Sequence, residues 1–276
     1  MDAGPSTCRK SNHVTRLSHS IANRQLAQGE LAIYWLCQAG FAFKISSGQI
    51  VYVDPYFSDV VETVIGFKRM MTCPMTADEA NADLIVCTHE HLDHMDTDAL
   101  PVLAANPRTQ FAGPVECIKE FRRLGIPDER CHLLEEGKSV EFDSVTVRGV
   151  YADHGELAPD ALGVVMDFGG VRVYHTGDTA YRPAEFAPAI QLKPHILLPC
   201  INGAFGNMNS DESAELVALC KPAIAIPTHF WMFVEQNGNP ARFLELSATL
   251  APETRTILLK PGEEFVFSGH HETQVD

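Results

Sequence analysis

The sequence predicts an α/β fold in which two mixed β-sheets share one core and helices cover the outer faces. Short apolar runs separated by turn residues recur from Leu31 onward, as is typical of strands. Helical patterns lie mostly between these blocks of strands. No linker rich in Pro, Gly or Ser and no run of charge divides the chain of 276 residues. We therefore predict a single domain over residues 31–276, preceded by a loose, polar N-terminal tail over residues 1–30.

The first half of the domain begins with strands and continues with helices. Apolar runs predict strands over residues 31–40, 41–55 and 82–88. The second of these runs is predicted to be a hairpin that turns at Ser47 and Gly48. Residues 58–80 are less regular and predict a loop or lid. Capping residues and prolines at the first helical position predict helices over residues 97–106 and 114–125.

The second half repeats blocks of strands with helices between them. Strands are predicted over residues 138–152, 162–177, 195–201, 223–230 and 255–267. The stretch SDESAELVALC predicts a helix over residues 210–220 with Ser210 as its N-cap. The stretch NPARFLELSATLA predicts a second helix over residues 239–251.

Charge and hydropathy exclude several classes of partner. The net charge is −15, so electrostatic steering would repel nucleic acid and anionic membranes. A well-solvated surface explains that acidity most simply. No apolar run reaches the ~18 residues that a membrane-spanning helix needs. We predict neither a nucleic-acid partner nor a membrane partner.

The cysteines and the N-terminal residues indicate where in the cell the protein is located. Eight cysteines are scattered along the chain, none in a CxxC pair, and several, such as Cys87 and Cys200, lie in apolar runs. Such scattered thiols are typical of a reducing compartment and not of a disulfide framework. The stretch MDAGPSTCRKSNHVTRLSHS lacks the apolar segment of a secretory signal. The sequence therefore predicts a cytoplasmic protein.

The stretch CTHEHLDH crowds titratable groups behind the apolar run that ends at Cys87. His89 and His91 share one face of an extended chain, because residues i and i+2 do so in a strand. Asp93 and His94 can join them if the backbone turns and a helix begins at Asp93. Imidazole and carboxylate groups together suit a first-row divalent metal. A polar surface loop is the alternative, and the density of ligand-type groups at a strand end makes it the weaker one.

Three further ligand-type groups follow other predicted strands. His154, Asp178 and His229 each come just beyond the carboxyl end of an apolar run. In α/β folds, ligand sites lie at the carboxyl ends of strands. A catalytic metal usually takes three protein ligands and keeps one position open, so this number of candidates predicts two metal ions. Glu90 or Asp153 could orient the ligands by hydrogen bonds.

The order and spacing of these groups resemble the motifs of the metallo-β-lactamase superfamily. The motifs would span residues 54–229, with Asp54 of VYVDPYF as the first. The resemblance implies a four-layer αββα sandwich with two divalent metal ions at the edge between the sheets. One ion would be held by His89, His91 and His154, the other by Asp93, His94 and His229, with Asp178 bridging them. The donors admit zinc, manganese, iron or cobalt, and we favour zinc or manganese.

Within that superfamily, several stretches resemble the L-ascorbate-6-phosphate lactonase (UlaG-type) branch. They are LAIYWLCQAGFAFKISSGQIVYVDPYF, FAGPVECIKEFRRLGIPDERCHLLEEG, VYHTGDTAYRP and IPTHFWMF. The resemblance implies a lactonase that opens a cyclic ester of a small molecule with metal-activated hydroxide, a phosphorylated sugar lactone being one candidate. Asp93 would be the catalytic residue, moving a proton to the departing ring oxygen. Homo-oligomers are compatible with this prediction.

The candidate substrate contacts lie in loops that follow the motifs. Arg182, and also Lys68 and Arg69 in the lid candidate, could receive a phosphate, which needs a cationic partner. Phe205, Asn207, Asn209 and Trp231 could line the pocket. A surface charge explains each of the cations more simply, and a packed loop explains the pocket candidates equally well.

The same residues fit other functions. A phosphodiesterase or nuclease of the same superfamily would use the same ligands but should carry a basic surface for nucleic acid, which this acidic chain lacks. A secreted β-lactamase should have a signal peptide, and a thioesterase of the glyoxalase II kind should have a helical C-terminal extension. A metal-binding sensor without catalysis is the non-enzymatic alternative.

Overall fold

A computed structural model of the protein describes residues 16–269. These residues form two seven-stranded mixed sheets with helices packed against them, so the predicted α/β class is confirmed. The helices are α1 Leu17–Asn23, α2 Val60–Ile65, α3 Leu100–Ala104, α4 Val115–Arg123, α5 Ala187–Gln191, α6 Ser210–Cys220 and α7 Pro240–Leu250.

The first sheet carries the N-terminal strands and the last strand. Its members are β1 Glu30–Trp35, β2 Phe41–Ile45, β3 Ile50–Val53, β4 Leu84–Val86, β5 Gln110–Gly113, β6 Cys131–Leu133 and β14 Glu264–Ser268. The spatial order is β14-β1-β2-β3-β4-β5-β6. Pairing is antiparallel from β14 to β3 and parallel from β3 to β6. The hairpin predicted at Ser47 and Gly48 joins β2 to β3, with Gly48 at a φ of 96°.

The second sheet repeats this plan. Its members are β7 Ser139–Phe142, β8 Val145–Tyr151, β9 Leu162–Phe168, β10 Val171–His175, β11 Ile196–Leu198, β12 Ile224–Ala225 and β13 Arg255–Thr256. They follow one another in sequence order, antiparallel from β7 to β10 and parallel from β10 to β13. The parallel strands of both sheets therefore send their following loops to one edge of the molecule.

The alternation of side chains along the strands places the core. On β1, Ile33 packs in the cluster shared by the two sheets, whereas Tyr34 packs in the cluster with Phe121 of helix α4. Successive side chains of a strand point to opposite faces, so a sheet that is covered on both faces needs apolar residues at every position. Between the sheets, the rings of Phe43 and Phe168 lie 5.0 Å apart.

Three local predictions are wrong. Residues 16–30 are not a loose tail, because helix α1 buries Ile21 against the first sheet; residues 1–15 lie outside the described part of the chain. Helix α6 is capped by Asn209 and not by Ser210: the Asn209 side chain accepts from the backbone of Glu212, whose carboxylate accepts from the backbone N–H of Asn209. No helix begins at Asp93, where the backbone forms a turn.

The segment predicted as a loop or lid is partly helical and is tied down. Residues 60–65 form α2, and Arg69 then lies over the ring of Tyr56 at 4.2 Å. Arg69 also pairs with Asp59 at 3.0 Å and donates to the carbonyl of Ser58 at 2.6 Å. The guanidinium group of Arg69 is thereby engaged within its own segment.

Two findings concern the cysteines and the apolar content of the helices. All seven cysteines within residues 16–269 are free thiols, as the scattered positions predicted. No helix in that range is long and apolar enough to cross a bilayer.

Candidate metal centre

Seven ligand-type side chains meet at the edge where the loops after β4, β8, β10 and β12 converge. The loop after β4 supplies His89, His91, Asp93 and His94, and the other loops supply His154, Asp178 and His229. Five of the seven are at most 5% exposed, and His91 and Asp93 are intermediate. The structure thus brings together all seven residues that the sequence predicted as ligands.

One group consists of three histidines. The ligand atoms of His89, His91 and His154 lie within 4.8 Å of one another. His89 Nε2 and His91 Nδ1 are only 3.0 Å apart. The His91 ring reaches this position because His91 Nε2 donates to the carbonyl of Leu157 at 3.1 Å.

The second group combines two histidines with a carboxylate. Nε2 of His94 and Nε2 of His229 are 3.1 Å apart. Asp93 Oδ2 lies 3.6 Å from the His229 nitrogen and 3.8 Å from the His94 nitrogen. A turn closed by hydrogen bonds to the carbonyl of His91, and not a helix, aims Asp93 and His94 at this point.

Asp178 lies between the two groups. Its Oδ1 is 3.4 Å from His94 Nε2 and 3.1 Å from His229 Nε2, while its Oδ2 is 3.7 Å from His154 Nε2. The turn before it requires glycine: Gly177 has a φ of 61°, and a Cβ there would meet the carbonyl of Leu162 at 2.7 Å. The carboxylate of Asp178 is therefore held in a position from which it can serve both groups.

The outer hydrogen bonds fix how the ring nitrogens are protonated. Thr88 donates its hydroxyl proton to Asp54 at 2.7 Å, so the same oxygen can accept from His89 Nδ1 at 3.1 Å. His94 Nδ1 donates to Asp54 at 2.7 Å. In the neutral imidazoles, the lone pairs of His89 Nε2, His91 Nδ1 and His94 Nε2 therefore point into the cluster. Lone pairs 3.0 Å apart repel unless a cation lies between them, so these donors fit divalent metal ions.

Electrostatics agree with a site for cations. Burial disfavours the charged form of His94, yet the carboxylates of Asp178, Asp54 and Asp93 outweigh it and raise its pKa well above the ordinary value. Burial works against the charge of Asp178 too, but His229 and His94 hold its pKa well below the usual range. Burial lowers the pKa of His89, which keeps that ring neutral and able to bind a metal.

Asp54 orients the centre from behind. It is fully buried, it has a φ of 44°, and it accepts hydrogen bonds from the backbone and hydroxyl of Thr88 and from His94. A non-glycine residue held in this left-handed conformation is strained, and such strain persists where the surroundings fix it. Asp54 thus keeps the His94 ring in one tautomer and one orientation.

Replacing Asp54 by asparagine should weaken metal binding by about 10–100-fold, because loss of a residue that orients a metal ligand typically has that effect. Competition with a chelating dye would measure the affinity. Asp143→Asn is the matched control, since Asp143 also has a left-handed backbone, with a φ of 49°, but is exposed in the turn before β8. Equal affinities in the two variants would contradict the orienting role.

Gln38 contacts two of the candidate metal ligands, which the sequence did not reveal. It lies in the turn between β1 and β2, fully buried, and its Nε2 donates to Asp93 Oδ2 at 2.6 Å. The same nitrogen is 3.3 Å from His229 Nε2. His175 steadies this turn across the two sheets by donating from Nε2 to the carbonyl of Ala39 at 2.8 Å. Glutamine is neither a typical metal ligand nor near the motifs in sequence, so no signal pointed to it.

Arg182, Asn207 and Trp231, which were predicted to contact the substrate, have other contacts in the structure. Asn207 donates to Asp178 Oδ2 at 2.6 Å and so holds a metal-ligand candidate. Arg182 is exposed and pairs with Asp153 at 3.0 Å. Trp231 donates to the carbonyl of Gly238 and lines a separate cavity. Among the described residues, neither Arg182 nor Trp231 lines the pocket beside the metal centre.

Asp153 and Glu90, the two carboxylates predicted to orient the metal ligands, have other surroundings in the structure. Asp153 accepts from the backbone of Gly155 and pairs with Arg182. Glu90 lines the pocket, and burial raises the pKa of its carboxyl group. The hydrogen bonds that fix the ligand rings come from Asp54 and Thr88 instead.

Comparison with known proteins adds an independent finding. Residues 49–230 match the family model described as the beta-lactamase superfamily domain. A UPF0173 metal-dependent hydrolase from Archaeoglobus fulgidus is 28% identical over 250 residues, which cover 86% of this chain and 100% of that protein. A protein of the same name from Polynucleobacter asymbioticus is 27% identical over 232 residues, covering 78% of this chain and 77% of that one.

Solved structures show the same architecture. The metallo-beta-lactamase fold protein YhfI from Bacillus subtilis superposes with a TM-score of 0.64 at 16% identity. The superposition covers 86% of this chain and 100% of that one. At this level of identity, the likeness concerns the fold alone.

Proposed function

The chain belongs to the beta-lactamase superfamily, and from this premise we propose that it is a metal-dependent hydrolase that opens a lactone or related carboxylic ester. The superfamily and the αββα sandwich predicted from the sequence are confirmed. Assignment to the L-ascorbate-6-phosphate lactonase branch stays a prediction.

The observation that carries the proposal is the convergence of imidazole lone pairs beside buried carboxylates. His89, His91 and His154 would hold one divalent ion, and Asp93, His94 and His229 the other, with Asp178 between them. Neutral imidazole and carboxylate ligands without thiolate suit zinc or manganese. When bound, such ions lower the pKa of water to about 7 and polarise a carbonyl oxygen.

The protein's own residues would position the substrate and move its proton. Asp93 lines the pocket, and Gln38 fixes its Oδ2 by a hydrogen bond of 2.6 Å. The Asp93 carboxylate would take a proton from the attacking water as the new C–O bond forms. It would return that proton to the ring oxygen as the ester bond breaks, so that the product leaves as a hydroxy acid.

Metal content and activity should rise together. Protein purified without chelator should hold up to two divalent ions per chain by elemental analysis. It should open simple lactones, lose that activity when the ions are removed, and regain it with zinc or manganese. Only trace metal after reconstitution would contradict the metal centre. Full metal occupancy without hydrolysis of any lactone or ester would instead contradict the proposed reaction and favour a metal-binding sensor.

A further inference from the structure

The pocket that opens at the metal centre has an apolar wall. Its volume is about 370 Å³, within the usual range for small-molecule sites. The rings of Phe67, Phe205 and Phe233 form one side, with the Phe67 ring 6.2 Å from that of Phe205 and 6.1 Å from that of Phe233. Ile65 and Leu157 lie at the same pocket. The ligand candidates His91, Asp93, His154, Asp178 and His229 also line the pocket.

This wall is preformed. Phe67 follows helix α2 in the segment that Arg69 ties to Tyr56 and Asp59. The backbone of Met70 then donates to the carbonyl of Met232 at 2.7 Å, next to Phe233. The protein's own contacts therefore hold the segments that carry Phe67 and Phe233, which lowers the entropic cost of binding a molecule against them.

The wall also leaves apolar surface open to solvent. Phe205 is 47% exposed, Ile65 54% and Leu157 53%. Exposed apolar side chains that cluster at a pocket commonly mark a binding surface, and covering them is favourable in proportion to the area removed from water.

The pocket offers no basic side chain. Besides Asp93 and Asp178, whose negative charge the proposed divalent ions would offset, its charged lining residue within the described chain is Glu90, with no lysine or arginine. Of the three nearby cations predicted to receive a phosphate, Arg182 pairs with Asp153 and Arg69 with Asp59, and Lys68 does not line this pocket. A phosphate held away from the metal ligands would thus meet phenyl rings and the carboxyl group of Glu90, whereas phosphate sites need cationic or N–H donors.

We infer that the substrate is a neutral lactone or ester that carries an alkyl or aryl group. That group packs on Phe67, Phe205 and Phe233 while the carbonyl reaches the metal ligands. The inference rests on the proposed hydrolase function and names the substrate class of the same pocket. A phosphorylated sugar lactone does not fit this wall.

A series of lactones with one ring size and an increasing alkyl substituent tests the inference. We expect kcat/KM to rise by about 10-fold or more per buried methylene until the pocket is filled, the lower end of the usual range for apolar pockets. A phosphorylated lactone of the same ring should be the poorest member of the series. A flat dependence on alkyl length, or a preference for the phosphorylated compound, would overturn the inference.

Phe205→Ala should reduce the ratio of kcat/KM between the longest-chain lactone and the unsubstituted lactone by about 10-fold. Leu219→Ala is the matched control, because Leu219 is 46% exposed on helix α6 and lies outside the pocket. Equal alkyl preference in both variants would contradict the role of the aromatic wall.

Binding of a hydrolysis-resistant alkyl lactam to the metal-loaded protein, measured by calorimetry, separates this inference from the reaction itself. Binding that Phe205→Ala weakens, without turnover of any lactone, would support the apolar ligand and refute the lactonase. Turnover of lactones together with no binding preference for the alkyl lactam over the unsubstituted one would support the lactonase and refute the apolar ligand.

Discussion

Asp93→Asn will lower turnover by about 10²–10⁴-fold, the usual range for the loss of a general acid–base group, while most of the bound metal remains. Asparagine has the size of aspartate and keeps one oxygen that can approach His94 and His229. It lacks the negative charge and the affinity for a proton. Turnover and bound metal must be measured on the same preparation, so that the rate can be expressed per metal pair.

A substitution at a nearby acidic residue shows whether the loss of turnover is specific to Asp93. Asp98→Asn is the control, because Asp98 is exposed five positions further along the same loop. If Asp93 only held metal, the lost activity would follow the lost metal and return when metal is added in excess. Near-normal turnover per bound metal pair in Asp93→Asn would rule out the proton-carrying role.

His154→Ala and His229→Ala should each remove metal from a different half of the centre. His154 belongs with His89 and His91, and His229 with Asp93 and His94. We expect each variant to keep about one ion per chain and to lose activity by more than ~100-fold, since the loss of a ligand should exceed the ~10–100-fold effect of losing a residue behind it. Elemental analysis after equilibrium dialysis gives the number of ions.

A histidine outside the centre controls for general effects on folding. His132 lies on β6, where its Nε2 contacts the side chain of Gln110, so His132→Ala should keep both ions and full activity. Full metal content and full activity in both His154→Ala and His229→Ala would show that the ligand assignment is wrong.

The ligands could be predicted because each of them lies within a few residues of the end of a predicted strand. Each of His154, Asp178 and His229 directly follows an apolar run, and the carboxyl ends of parallel strands meet at one edge of a sheet. The pairing of strands brings these loops together whatever the details of the turns. The layered fold was predictable for the same reason, since hydrophobic periodicity indicates strands and their buried faces.

The rest depends on contacts between residues distant in sequence. Gln38 reaches Asp93 only because the turn between β1 and β2 lies beneath the loop after β4, and 55 positions separate the two residues. Trp231 directly follows the motif but turns away, with a φ of 55°, to another cavity. The short strands β5 and β6 were missed because Gln110, Gly113 and His132 interrupt their apolar runs.

The division of the ligands between the two sheets links metal supply to the integrity of the molecule. His89 and its neighbours belong to the first sheet, whereas His154, Asp178 and His229 belong to the second. All ligands of an ion can reach it only while the two sheets are packed together. A bound ion therefore stabilises the packing of the sheets. Each tenfold rise in free ion above the dissociation constant adds about 1.4 kcal/mol to the free energy of unfolding per site. Removal of the metal ions would therefore lower the stability of the folded chain as well as its activity.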